Sequence, residues 1–184
     1  MSTSYLAEII KELNRTADFV ADREVEDLVD RILQSKKVFV AGAGRSGLMV
    51  RAFAMRMMQM GIEAYVVGET VTPNLEKGDT LIIGSGSGET RTLIPVAEKA
   101  KSLGGSVAVI TISPESTLGK LSDITVKMPG SPKEKEGSAY QTIQPMGALF
   151  EQSLLLVCDA VILKMMEKQG LDSRTMFGRH ANLE

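Results

Sequence analysis

Residues 81–90, Leu-Ile-Ile-Gly-Ser-Gly-Ser-Gly-Glu-Thr, concentrate the groups best suited to holding a small anion. Leu81, Ile82 and Ile83 read as the end of a buried strand, and Gly84, Gly86 and Gly88 leave a backbone able to approach a ligand closely. Ser85, Ser87 and Thr90 add hydroxyls to the same loop, with Gly86, Gly88 and Glu89 between them. Residues 91–103 follow with helical periodicity, so unpaired N–H groups at the start of that helix are expected to point into the loop. Hydroxyls, free amides and a helix N-terminus together make a phosphate cradle.

A second glycine loop, Gly42-Ala-Gly-Arg-Ser-Gly47, repeats the pattern after the apolar run 37–42 and carries Arg45 and Ser46. Its glycines satisfy G-x-G-x-x-G after a strand, and Glu69 follows the next strand where a ribose-binding acid can lie. A dinucleotide reading therefore stands beside the phosphate-cradle reading, but it leaves the hydroxyls of the 81–90 loop without a purpose. The P-loop pattern is absent, as is a G-x-S-x-G nucleophile elbow; in 84–88 the central position is Gly86.

For proton transfer the candidates are few. Glu151 lies among apolar residues of a long helix, where a carboxylate is either a solvated or salt-bridged surface group or a general base with its pKa raised towards the working pH. His180, the only histidine, lies in a C-terminal tail that frays by default unless Leu171, Met176 and Phe177 pin it to a surface. One histidine and one cysteine, Cys158, with no carboxylate cluster at ligand spacing, leave no metal site to propose and exclude an internal disulfide.

These groups must be positioned by a scaffold, and 184 residues suffice for one domain with a sizeable core. The spacing predicts two amphipathic helices within residues 1–36: one with the stripe Leu6, Ile9, Ile10, Leu13, Ala17 and Val20, and one capped by Asp22. Residues 37–128 then alternate strands (37–42, 64–67, a run ending at Gly84, 107–112, 124–128) with helices (48–60, 91–103, 116–121). That alternation predicts a doubly wound parallel sheet in a three-layer α/β/α sandwich, with ligands at the carboxyl ends of the strands. The stretch 129–144 is expected to be a mobile surface loop able to act as a lid. Pro145 is expected in the first turn of a long helix that ends at Gly170, followed by the tail to 184.

Apolar residues make up 43% of the chain and charged residues 24%, and the net charge is −2. This balance argues against nucleic acid or an anionic membrane as the main partner. The most apolar run, 153–166, is broken by Asp159 and Lys164 and is shorter than the ~20 residues of a membrane span. No signal-peptide pattern is present, and a cytoplasmic location is expected. The long helix lacks a polar face, and the helix at 48–60 is rich in methionine (Met49, Met55, Met57, Met58, Met60), so a homo-oligomer is expected.

Four segments carry a family resemblance: Gly42-Ala-Gly-Arg-Ser-Gly47, Gly84-Ser-Gly-Ser-Gly-Glu-Thr90, Gln144-Pro-Met-Gly-Ala-Leu-Phe-Glu-Gln152 and His180-Ala-Asn-Leu-Glu184. In this order they resemble the sugar isomerase (SIS) domain family and, within it, the 6-phospho-3-hexuloisomerases. The resemblance implies a phosphorylated ketohexose substrate, interconversion of 3-hexulose 6-phosphate and fructose 6-phosphate, and a place in the ribulose monophosphate route of formaldehyde fixation. It implies a tetramer without cofactor or metal, phosphate on Ser85, Ser87, Gly88 and Thr90, and Ser46 touching the sugar or phosphate. It also implies Glu151 as base and His180 lent by a neighbouring subunit. Arg45, Ser46 or loop amides would stabilise the enediolate. The alternatives are a non-catalytic phosphosugar sensor and another aldose-ketose isomerase, such as one acting on arabinose 5-phosphate.

Overall fold

The computed structural model describes residues 4–130 and 142–182. Five parallel strands, β1 (Val38–Gly42), β2 (Ala64–Val66), β3 (Thr80–Gly84), β4 (Ser106–Thr111) and β5 (Ile124–Lys127), form one sheet in the order β2-β1-β3-β4-β5. All neighbours are in parallel register, with Gly42 opposite Gly84 and Gly84 opposite Ile110. The order reverses between β1 and β3, so the loops after these two strands leave on either side of a crevice, the place where open α/β sheets bind ligands.

The strands are apolar on both faces because both faces are covered. Val38, Val40, Ile82, Ala108 and Ile110 point to one side, where they meet α2 (Asp22–Gln34), α3 (Gly44–Met60) and α6 (Ala148–Gln169). Phe39, Ala41, Leu81, Ile83, Val107 and Val109 point to the other, against α4 (Ile94–Ser102) and α5 (Thr117–Leu121). This alternation yields the three-layer α/β/α sandwich expected from the sequence. The first helix, α1 (Tyr5–Ala17), packs on α6, and the short α7 (Ser173–Phe177) returns to α3.

Several boundaries differ from expectation. Asp22 is the first helical residue of α2 and makes no side-chain cap, because Ala21 occupies the capping position. The third helix begins at Gly44, inside the glycine loop, instead of at residue 48. Pro145 precedes α6 by one turn, and Gly147 takes the N-cap position. The apolar stripe of α1 faces outward in part: Leu6 and Ile10 are exposed, whereas Glu12 and Thr16 are buried. Most of the expected lid lies outside the described residues.

Candidate active site

The two glycine loops and the start of α6 converge on one cleft of about 680 Å³. From β1 and α3 come Ala43, Gly44, Arg45 and Ser46; from the loop after β3 come residues 84–87, Glu89 and Thr90; from α6 come Gly147, Phe150 and Glu151. The first loop is glycine-rich for packing. A Cβ on Gly42 would lie 2.9 Å from Gly47 Cα, and one on Gly47 would lie 2.7 Å from the Gly42 carbonyl oxygen. This contact lets α3 start directly off β1, so that its first residues, Gly44, Arg45 and Ser46, line the cleft at the positive end of the helix.

The serine loop is held by its own hydroxyls. Ser85 Oγ lies 3.0 Å from Thr90 Oγ1 and accepts the Gly88 amide at 3.2 Å, while Ser87 Oγ accepts the Glu89 amide at 3.2 Å. Gly88 sits at φ +64°, and a Cβ there would collide with Ser116, whose own Cβ would be 2.6 Å away. Its amide is thus engaged within the loop, whereas the amides of Gly86, Ser87 and Thr90 have no hydrogen-bond partner among the described residues. These three are the amides free to meet an anion.

The helix dipole at the cleft belongs to a different helix from the one expected. Residues 90–93 form a turn, with the Leu93 amide donating to Thr90 O at 2.9 Å, and α4 starts only at Ile94 with Pro95 in its first turn. Leu93 is drawn into the apolar layer beneath the sheet, which pulls the start of α4 away from the loop. The N-terminus of α3 takes that place.

Glu89 lines the cleft, yet its carboxylate is turned to α5: Oε1 accepts the Thr117 amide at 2.7 Å and Oε2 accepts the Thr117 hydroxyl at 2.9 Å. The amide first, and then the hydroxyl, hold the carboxyl below its ordinary pKa. This anchorage fixes the far end of the serine loop. Glu69, the residue a ribose would need, pairs with Arg51 outside the cleft, and the G-x-G-x-x-G pattern is accounted for by the packing of α3 on β1.

Glu151 is buried at 7% exposure, and Arg45 Nε lies 3.0 Å from its Oε2. The helix that carries it rides close against β3 and the serine loop. A Cβ on Gly84 would lie 2.8 Å from Leu154 Cδ2, and one on Gly86 would lie 3.1 Å from Phe150 Cδ1. Glycine at these positions is therefore what lets α6 pack close enough for its carboxylate to share the cleft with the serine loop. Arg45 is the only cation among the described residues that line the cleft, so an anion seated there rests chiefly on amides and hydroxyls.

His180 is not brought to this cleft by the fold of one chain. It lines a separate groove of about 420 Å³ with Arg56, Gln59, Asp159, Leu163 and Phe177, and its Nδ1 lies 2.8 Å from Ala181 O. Leu171 and Met176 pack on the core and Arg179 binds the Met60 carbonyl, so the tail is attached; Phe177, expected to help pin it, is exposed. Sequence reasoning missed Ser113 and Ser116, which line the cleft from the loop after β4. The rule that sites gather at strand carboxyl ends applies equally to β4 and would have pointed to them.

The SIS domain model matches residues 31–156. The chain belongs to the SIS domain family. Over 183 residues it is 60% identical to the 3-hexulose-6-phosphate isomerase of Bacillus subtilis strain 168, covering 100% of this chain and 99% of the relative. The 3-hexulose-6-phosphate isomerase of Mycobacterium gastri is 40% identical over 182 residues, covering 99% and 91%. A Methanococcus jannaschii protein, whose crystal structure was used to infer a 3-hexulose-6-phosphate isomerase function, superposes with a TM-score of 0.83 at 36% identity, covering 97% and 98%. The SIS-domain match includes both glycine loops and Glu151. No helix among the described residues is long and apolar enough to cross a membrane.

Proposed function

We propose that this chain interconverts 3-hexulose 6-phosphate and fructose 6-phosphate, the isomerisation of the ribulose monophosphate route of formaldehyde fixation, as a cytoplasmic homotetramer. The observation that carries the reading is the buried Glu151 carboxylate in the same cleft as the serine loop, with Arg45 beside it. Full-length likeness to 3-hexulose-6-phosphate isomerases supports this choice of phosphosugar.

In this reading the phosphate rests on the serine loop, on the hydroxyls of Ser85, Ser87 and Thr90 and the free amides. Ser46 and the start of α3 close the site from the other side. Glu151 takes the proton from carbon 2; the C–H electrons form the C2=C3 bond, and the carbon 3 carbonyl becomes an enediolate oxygen. Glu151 then returns the proton to carbon 3 while the carbon 2 hydroxyl proton leaves and its oxygen becomes the carbonyl. One carboxylate serves both carbon transfers. Arg45, within reach of Glu151, stabilises the charge that develops on the enediolate. Anchoring the distant phosphate converts binding into orientation of the reacting carbons.

His180 completes the site of a neighbouring subunit, where it moves the proton between the two oxygens. Exposed apolar groups on α3 (Met55, Met58), α6 (Leu156, Leu163) and α7 (Phe177) support burial against other subunits.

The test is turnover of purified protein on 3-hexulose 6-phosphate, with arabinose 5-phosphate in parallel, for the native chain and Glu151→Gln. The expected result is conversion of the hexulose phosphate alone, and loss of at least ~100-fold in the variant with phosphosugar binding retained. Binding without turnover by the native chain would mark a sensor and reject the enzyme reading.

A further inference from the structure

Two buried carboxylates lie outside the cleft among the described residues: Asp79, which pairs with Lys37, and Glu12. Glu12, on α1, is 6% exposed, and no cation lies within ion-pair distance of it among the described residues. An unpaired buried carboxylate is costly unless hydrogen bonds replace its lost water. Here all three come from one short segment: Thr142 Oγ1 donates at 2.7 Å and Gln144 Nε2 at 2.9 Å to Oε2, and the Ile143 amide donates at 2.8 Å to Oε1. Burial raises the Glu12 pKa, but these bonds, with the charge of Arg15 adding to them, outweigh it and hold the carboxyl below its ordinary value. The segment reinforces itself, since the Gln144 amide donates to Thr142 Oγ1 at 3.0 Å.

Immediately C-terminal to this anchor, the chain makes the turn that launches the helix bearing Glu151. Met146 sits at φ +56°, the one non-glycine residue in the left-handed region among the described residues, and its side chain is exposed, so packing does not hold it there. Gly147, which lines the cleft, occupies the N-cap position of α6 without a side-chain cap, and the Glu151 amide donates to its carbonyl at 3.0 Å. A strained turn and an uncapped helix start need restraint from outside, and Glu12 supplies it from the N-terminal side.

We propose that Glu12 is a positioning residue for Glu151: by clamping residues 142–144 it holds the left-handed turn at Met146 and so sets the first turn of α6 within the cleft. The inference rests on Glu151 being the base. The serine loop is built on β3, and its hydrogen bonds run within the loop and not to residues 142–144, so the clamp reaches phosphate anchorage only through the packing of Phe150 on Gly86.

The test is steady-state kinetics of Glu12→Gln, of Glu151→Asp, and of the two combined, with thermal unfolding of each. Glu12→Gln leaves its amide facing the Gln144 amide, so kcat should fall about 10- to 100-fold with KM within about twofold, since small misplacement of a catalytic group has that order of effect. Adding Gln144→Glu restores a carboxylate-amide pair and should recover much of kcat. In the combined variant the losses should be far from additive, because Glu12 acts through Glu151. A folded Glu12→Gln with kcat within twofold of native, or a loss that multiplies with that of Glu151→Asp, overturns the clamp. Should Glu12→Gln not fold, Thr142→Val removes one of the three bonds at constant shape, and unchanged kcat there overturns it equally. Glu151→Gln measured alongside separates the two ideas: near-native turnover in that variant rejects the base, whatever Glu12 does.

Discussion

Replacing Gly88 with alanine tests the serine loop most directly. At φ +64° a side chain costs about 1–2 kcal/mol from its clash with the neighbouring carbonyl. The added methyl would also lie 2.6 Å from Ser116 Cβ and closer still to its hydroxyl, an overpacking worth about 1–3 kcal/mol. Ser116 Oγ accepts the Gly119 amide at 3.2 Å as the N-cap of α5, so pushing it aside also loosens a cap worth ~1 kcal/mol. The expected destabilisation is about 4 kcal/mol, roughly 8–16 °C in melting temperature for a chain of this size. Gly86→Ala is the internal comparison: its φ is not positive and its methyl would meet the Phe150 ring at 3.1 Å, so about 1 kcal/mol is expected. The assay is thermal denaturation followed by circular dichroism, with KM for the sugar phosphate on the folded fraction. KM should rise more for Gly88→Ala because the loop shifts. A Gly88→Ala protein as stable as Gly86→Ala, with native KM, would refute this role for the loop.

Glu26 on α2 faces Lys164 and Lys168 on α6, and hydrogen bonds from these two lysines, Lys164 first, lower its pKa to about 2. A depressed carboxyl stabilises the fold above its unfolded value of 4.5 and loses that contribution as pH falls through its folded value. Stability should therefore drop between about pH 4.5 and 2, less steeply in Glu26→Gln, as read by melting temperature against pH. Cys158 is wholly buried, and burial pushes its thiol pKa far up; it should resist alkylation in the native protein and react only on unfolding, which mass spectrometry under increasing urea would track, whereas rapid native labelling contradicts its placement. Mixing Glu151→Gln and His180→Ala chains by co-refolding should recover turnover that neither has alone, because some sites then combine a native glutamate with a native histidine. Absence of recovery in confirmed mixed oligomers refutes a shared site.

Much of the scaffold is legible in the linear chain. The near-continuous apolar runs at 38–42, 80–84 and 106–111, separated by helical segments, leave few arrangements other than a covered parallel sheet, because a strand without a polar face must be buried on both sides. The serine loop is legible for a similar reason: glycine and hydroxyl spacing is a local property. Helix starts are less so. The position of α4 depends on Leu93 reaching the core, and the start of α3 depends on Gly42 and Gly47 touching, neither of which is visible in a linear pattern.

Local composition was enough to specify most of the elements and the glycine- and hydroxyl-rich serine loop, since backbone freedom and side-chain chemistry are carried residue by residue. Which strands flank the crevice, that Glu151 and Arg45 meet at 3.0 Å in the cleft shared with that loop, that Glu12 binds a segment 130 positions away, and that His180 stays outside the cleft were decided only by the folded chain. Those relations come from packing between elements distant in sequence, where the spacing along the chain carries no information about distance in space.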